Sequence, residues 1–303
     1  MKSLTPDYIR NPLLPLTITV IGAGGTGSMF LQHLARVVYA YQSLFARRIV
    51  VVVVDGDTVT AGNVGRQAFG ENEVFHNKAQ LIVGRINRFY GFEWLAKPHF
   101  FVAPANEGEF NTMRDEVCSN IMITCVDNLE ARRNAYQFIK DSRVGFKHEY
   151  YPYFWIDIGN TKTTGNVIVE STMMGWPSAL DVYKDNYVDH GDDEPSCSLA
   201  MALNKQDLFI NSQCALVAAK WLWELLSNTD PVPHITWRGA FINLDTFNIK
   251  KLKVNATEEG DNNQQQVSKP RRQRNRTKVR ANAAQKGKDN DRPAGRRRQR
   301  NPG

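Results

Sequence analysis

No stretch of these 303 residues approaches the roughly 18 consecutive apolar residues that a membrane helix needs, so no membrane span is predicted. The longest apolar run, Ile49 to Val54, is strand-sized and bounded by Arg48 and Asp55. The opening MKSLTPDYIRNPLL lacks the long apolar segment and small-residue cleavage site of a secretory signal, which makes the cytoplasm the expected location. Cysteine is scarce. Cys118, Cys125, Cys197 and Cys214 lie far apart and form no C-x-x-C pair, which argues against a structural zinc site and a disulfide scaffold. Internal repeats are also missing, so a solenoid is not expected.

The charge is unevenly divided. Residues 268–303 hold 14 Lys or Arg against two acids, whereas residues 1–267 hold 24 bases and 29 acids. A mildly acidic body is therefore joined to a strongly basic tail. From about Asn255 the chain is Asn, Gln, Lys and Arg with almost no large apolar residue, a composition that cannot offset ordering entropy. The expected organisation is a folded domain over 1–254 and a disordered basic tail over 255–303. The tail has no aromatic residue on which bases could stack, so any contact with nucleic acid should be nonspecific and salt-sensitive. Docking on an acidic protein surface, or no dedicated partner at all, fits the same composition.

Within the body, Leu16 to Ile21 has strand character and runs into the glycine-rich Gly22-Ala-Gly24-Gly25-Thr-Gly27. Ser28 to Tyr41 then shows helical spacing of apolar residues, and Ile49 to Val54 is a continuous apolar strand of the kind buried on both faces. Strand, glycine turn, helix and strand open a doubly wound, Rossmann-like α/β fold with a mainly parallel sheet. The pattern predicts helices at Glu73 to Tyr90, Glu107 to Cys118 and Leu129 to Lys140, and strands at Lys97 to Val102 and Asn120 to Val126. Tyr153 to Ile158 and Asn166 to Val169 are separated by a connection too short for a crossover helix, so this late pair should be antiparallel. A long excursion of about 171–206 with little periodicity follows, containing an acidic cluster and a short helix over Ser198 to Asn204. A helix over Leu208 to Leu226 and a β stretch over Thr236 to Val254 close the body.

The glycine loop lets a backbone approach a phosphate and points helix N-terminal amides at it, though dehydrogenases and methyltransferases share it. Asp55 ends the second strand where a ribose-binding acid sits in such folds. Asp57, the segment Asn63-Val-Gly-Arg66-Gln67 and Lys78 come next. Two cations near a nucleotide site suit the charge on transferring phosphates, while a solvated loop is the plainer alternative. Asp127, at the end of a parallel strand, could hold Mg²⁺ between a carboxylate and substrate phosphates. Asn128 could bind the same ligand or simply cap the next helix.

Taken together, G-x-G-G-x-G at Gly22 to Gly27, Asp55 and Asp57, N-x-x-R-Q at Asn63 to Gln67, Lys78, and D-N-x-x-A-R at Asp127 to Arg132 resemble the ThiF/MoeB/HesA superfamily, which includes ubiquitin-activating enzymes. Asn166 stands where that family usually has Gln. The later segments Pro195 to Ala200, Gln206 to Asn211 and Arg238 to Phe247 are similar to the ThiF-family member of PRTRC gene systems. The resemblance implies ATP and Mg²⁺ as cofactors and a small ubiquitin-like protein whose C-terminus is adenylated. It also implies a conjugating-enzyme-like partner and a homodimer. Asp55 would then bind ribose, Asn63, Arg66 and Lys78 the phosphates, and Asp127 the metal, with Asp57, Gln67 and Asn128 in the same site.

Cys197 has the best local chemistry for a nucleophile, because Pro195-Ser196 can start a helix whose amides lower a thiol pKa. The acidic Asp192-Asp193-Glu194 opposes this. Its place after a long excursion resembles the crossover-loop cysteine of ubiquitin-activating enzymes, and an incidental thiol is the alternative. Two other readings of the whole remain: a nucleic-acid-associated adaptor with a vestigial nucleotide fold, and an NAD-dependent oxidoreductase. Arg66, Lys78 and D-N-x-x-A-R speak against the oxidoreductase, since hydride transfer does not need them.

Overall fold

A computed structural model describes residues 6–11, 13–144, 151–183, 206–228 and 235–254. The first apolar runs form parallel strands β1 (Leu16–Ile21), β2 (Ile49–Val54), β3 (Leu95–Lys97), β4 (Ile121–Thr124) and β5 (Phe154–Asn160). Strands β6 (Thr164–Glu170), β7 (Trp237–Asn243) and β8 (Asn248–Lys253) continue the sheet in antiparallel fashion. The spatial order is β3-β2-β1-β4-β5-β6-β7-β8. The late antiparallel pair is thus present, with Gly159 opposite Asn166.

The unbroken apolar run in β2 is explained by burial on two faces. Val51 and Val53 join a core with α2 (Gly25–Phe45), α3 (Lys78–Tyr90) and α7 (Ile210–Ser227). Val52 and Val54 join a second core with α4 (Glu107–Val117), α5 (Leu129–Ser142) and the short α6 (Ala179–Tyr183). The two cores are the helical layers of a doubly wound sheet. Ahead of β1, the turn α1 (Asp7–Arg10) is tied down by the buried Arg47, which donates to the carbonyls of Tyr8, Ile9 and Leu14. No described helix is long and apolar enough to cross a membrane.

Three expectations need correction. The helix expected from Glu73 begins at Lys78, because Asn77 caps it, its Oδ1 accepting from Gln80 N at 3.0 Å, and because Phe75 just before has φ +72°. The strand expected over Lys97 to Val102 ends at Lys97, where Pro98 removes a ladder donor. The excursion expected from residue 171 starts with ordered structure: Ser171 bridges to Trp176, and Trp176 and Ala179 are buried. Cys197, the acidic cluster, the helix over Ser198 to Asn204 and the tail 255–303 lie outside the described residues.

Candidate nucleotide site

The strand order reverses between β1 and β4: the chain leaves β1 toward β2 and β3, then crosses back to β4 on the other side. Ligands in open α/β sheets bind at the carboxyl ends of strands at such a point. The glycine turn sits there. Gly22 has φ +96° and donates to Val54 O at 2.9 Å, and a Cβ on it would meet Cys125 O at 2.9 Å. A Cβ on Gly27 would collide with the Gly22 carbonyl, and one on Gly25 would lie 2.9 Å from the Asn211 amide nitrogen. Packing within the chain therefore accounts for these three. Gly24 differs, since a Cβ there would meet nothing within 4 Å. It is also the N-cap of the 21-residue α2, where unpaired amides and the helix dipole favour an anion. Gly24→Ala should therefore keep the wild-type melting temperature yet weaken ATP binding. Gly27→Ala should lower the melting temperature, and equal melting losses in both variants would refute the distinction.

Asp55 is 9% exposed, and its carboxylate accepts from Ala23 N at 2.5 Å and from Asp57 N at 2.8 Å. Burial raises its pKa above the ordinary value, against the two amide hydrogen bonds that lower it. A carboxylate has about four acceptor positions, so capacity remains for ribose hydroxyls. Asn77, which the sequence reading missed, holds the loop by donating to Asp55 O and Asp57 O at 2.8 and 3.1 Å. Lys78 is buried and pairs with Asp57 Oδ2 at 2.9 Å. Asp57 thus positions Lys78.

Arg66 is half-buried. Its Nη1 donates to Gln206 Oε1 at 2.7 Å, while Nε is buried with no hydrogen-bond partner among the described residues. Burial lowers its pKa, and the charge of Asp127 acts in the opposite direction. The neighbouring Gln67 is buried with Oε1 likewise unpartnered. Two adjacent unsatisfied polar atoms demand an explanation, and an arriving ligand is one. Asn63 spends its carbonyl locally, accepting from Thr60 N at 3.0 Å. Asn128 caps α5, accepting from Ala131 N at 2.7 Å.

Asp127 is exposed at the tip of the loop after β4. Beneath it, Arg132 donates to Val126 O at 2.6 Å and pairs with Asp157, which also accepts from Thr124 Oγ1 at 2.6 Å. Trp155 Nε1 completes the set on Thr124 Oγ1 at 3.0 Å. Asp157 was missed, although an acid inside the apolar run Phe154-Trp-Ile-Asp-Ile158 is a visible signal of a buried pair. Asn160, Gln206 and Asn211 were missed as well. Among the described residues no group of three metal-ligating side chains occurs, and Asp127 alone suits an ion that takes its remaining ligands from phosphates and water.

The three described cysteines are poor nucleophiles. Burial pushes the Cys118 thiol up to about 11 and the Cys214 thiol up to about 12. The Cys125 thiol is raised too, by burial and then by the charge of Asp157. Cys214 lies fully inside the core, and Cys125, just past the end of β4, is half-buried against the same core.

The sequence pattern of the ThiF family matches residues 7–266. The chain belongs to the ThiF family. Over 84 residues it is 32% identical to the ATP-dependent ubiquitin transferase-like protein Cap2 of Enterobacter hormaechei subsp. hoffmannii, covering 28% of this chain and 12% of Cap2. Among solved structures, PaaA is similar at TM-score 0.52 and 16% identity, over 82% of this chain and 66% of that one. MccB of E. coli, solved with MccA-N7isoASN, is similar at TM-score 0.54 and 15% identity, over 83% and 66%. At these identities the structures show the ThiF fold alone. This ThiF-family chain spans about two thirds of either.

Proposed function

We propose that this chain transfers the adenylyl group of ATP to the C-terminal carboxylate of a small ubiquitin-like protein. The observation that carries this reading is the pair of buried, unpartnered atoms at Arg66 Nε and Gln67 Oε1, together with the open helix N-terminus at Gly24. Arg66 Nε and the amides at Gly24 are donors that suit phosphate oxygens, while Gln67 Oε1 is an acceptor that suits a ligand hydroxyl or amine. The glycine turn is shared with dehydrogenases, but hydride transfer has no need of the half-buried Arg66. Membership of the ThiF family and the printed name of Cap2, an ATP-dependent ubiquitin transferase-like protein, support the same chemistry.

In this reading a carboxylate oxygen of the acceptor attacks the α-phosphorus of ATP. The bond to the bridging oxygen breaks, and pyrophosphate leaves with the electron pair. An ionised carboxylate needs no general base, so the protein contributes alignment and charge. Asp55 takes the ribose hydroxyls, the amides at Gly24 and the Arg66 guanidinium meet phosphate oxygens, and Lys78 stands beside them on Asp57. Asp127 would hold Mg²⁺, which offsets charge on the departing pyrophosphate. Arg66→Ala should slow adenylate formation about 10²–10³-fold, as loss of a single transition-state donor does elsewhere.

Cys197 would then attack the acyl carbon, releasing AMP and forming a thioester for a conjugating-enzyme-like partner, with the chain acting as a homodimer. The high thiol pKa values of Cys118, Cys125 and Cys214 support giving that role to Cys197. The test uses the full chain, ATP, MgCl₂ and each small protein encoded beside its gene, read by pyrophosphate release and intact mass. Release with a thiol-labile adduct is expected, and Cys197→Ala should keep release but lose the adduct. No release with any candidate overturns the acceptor class, whereas an adduct surviving Cys197→Ala moves the nucleophile elsewhere.

A further inference from the structure

A chain of polar side chains connects the glycine turn to Arg66 through a residue with no assigned role. Asn211 lies in the first turn of α7, 2% exposed, within an otherwise apolar helix face of Ile210, Cys214, Ala215 and Ala218. Its Oδ1 accepts from Thr26 Oγ1 at 2.7 Å and from Asn160 Nδ2 at 2.8 Å. Its Nδ2 donates to Gln206 Oε1 at 2.9 Å, the same oxygen that accepts from Arg66 Nη1. Helix capping does not explain the residue, because the N-cap position of α7 is Phe209 and no side chain caps that end. Packing does not explain it either, since a small apolar residue would fill the space without a buried amide that must be satisfied. The amide instead sits against Gly25, where any side chain would displace it.

We propose that Asn211 is a positioning residue that, through Gln206, fixes the Arg66 guanidinium relative to the glycine turn so that both meet one phosphate chain. The proposal rests on the reading that ATP phosphates occupy this turn. Its physical core is the shared acceptor. Gln206 Oε1 takes hydrogen bonds from Arg66 and from Asn211, and the second bond opposes rotation of the Gln206 amide. Rotation would turn an NH₂ group toward the guanidinium, donor against donor. Without Asn211, Arg66 loses both its fixed acceptor and its link to Thr26. Asn211 touches no reacting atom, so its effect must pass through Arg66.

That dependence is measurable by calorimetric titration of the full chain with ATP and MgCl₂, and separately with adenosine. The variants are Asn211→Ala, Gln206→Leu, Arg66→Ala and the double Arg66→Ala/Asn211→Ala. Each single substitution should weaken ATP binding about tenfold, the scale of one hydrogen bond to a charged group, and leave adenosine binding within about twofold. The double variant should bind ATP no more weakly than Arg66→Ala alone, because the two residues act in series. Equal losses for adenosine, or additive losses for ATP, would assign Asn211 a structural role only. Gln206 is partly exposed and its replacement spares the core, so unchanged ATP affinity in Gln206→Leu overturns the proposal even if Asn211→Ala does not fold. Absence of ATP binding by the wild-type chain would instead remove the nucleotide reading on which it rests.

Discussion

Asp127→Ala should slow adenylate formation on the order of 10³-fold or more while leaving the melting temperature unchanged, the loss expected when several kcal/mol of metal-supplied charge stabilisation disappears. The two halves of that expectation have separate origins. Asp127 is exposed, and the loop beneath it is held by the Val126 carbonyl on Arg132, so the carboxylate itself supports nothing. Its charge acts on Arg66, the group that the proposed function sets against the phosphates. Pyrophosphate release with an accepted carrier protein gives the rate, and thermal unfolding gives the control. ATP titration with and without MgCl₂ gives a third reading: the variant should lose the magnesium-dependent part of the affinity. A rate within about twofold of wild type would take Asp127 out of the mechanism, since the claimed effect is orders of magnitude larger. A lowered melting temperature would show instead that the loop had been misjudged.

The second large effect is on stability. Arg132→Ala should cost about 3–5 kcal/mol, because it leaves Asp157, fully buried, as an uncompensated charge. Arg132→Lys should recover little. A single ammonium cannot span both the Asp157 carboxylate and the Val126 carbonyl as the planar guanidinium does. The double substitution Arg132→Met/Asp157→Leu separates folding from function. Replacing both members of a buried ion pair by apolar residues is often close to neutral for stability, so much of the loss should return. Activity should not return, because the loop carrying Asp127 would still lack its anchor under Val126. Chemical denaturation and pyrophosphate release on the three variants check this. An active, stable Arg132→Ala protein would contradict the arrangement.

The fold was legible where the pattern is local. Ile49 to Val54 announced a strand buried on both faces, and the structure places alternate valines of β2 in two different cores. The short connection between Gly159 and Gly165 required an antiparallel pair, because no crossover helix fits there, and β5 and β6 pair in that way. Boundaries were less legible. The start of α3 depends on Asn77 acting as a cap, and an asparagine beside several other polar residues does not declare itself. Ser171 to Tyr183 carried no periodic signal because its order comes from single anchors, Trp176 and Ala179, seated on the sheet.

By itself, the sequence determined the doubly wound class and the family. Gly22 to Gly27, Asp55, Arg66, Lys78 and Asp127 carry their meaning in residue type and spacing, and a phosphate-binding turn is built from a few consecutive residues. Only the tertiary structure decided what several of these residues pack against and pair with. It divided the glycines into three required by packing and one left open, gave Lys78 to Asp57, and set Arg132 on Asp157 beneath the Asp127 loop. It also brought Asn211 to Thr26 across 185 positions of sequence. Such partners are chosen by strand order and crossover path, which bring distant segments to one crevice. A buried amide has no period along the chain, so its place is fixed by geometry after folding and by nothing local beforehand.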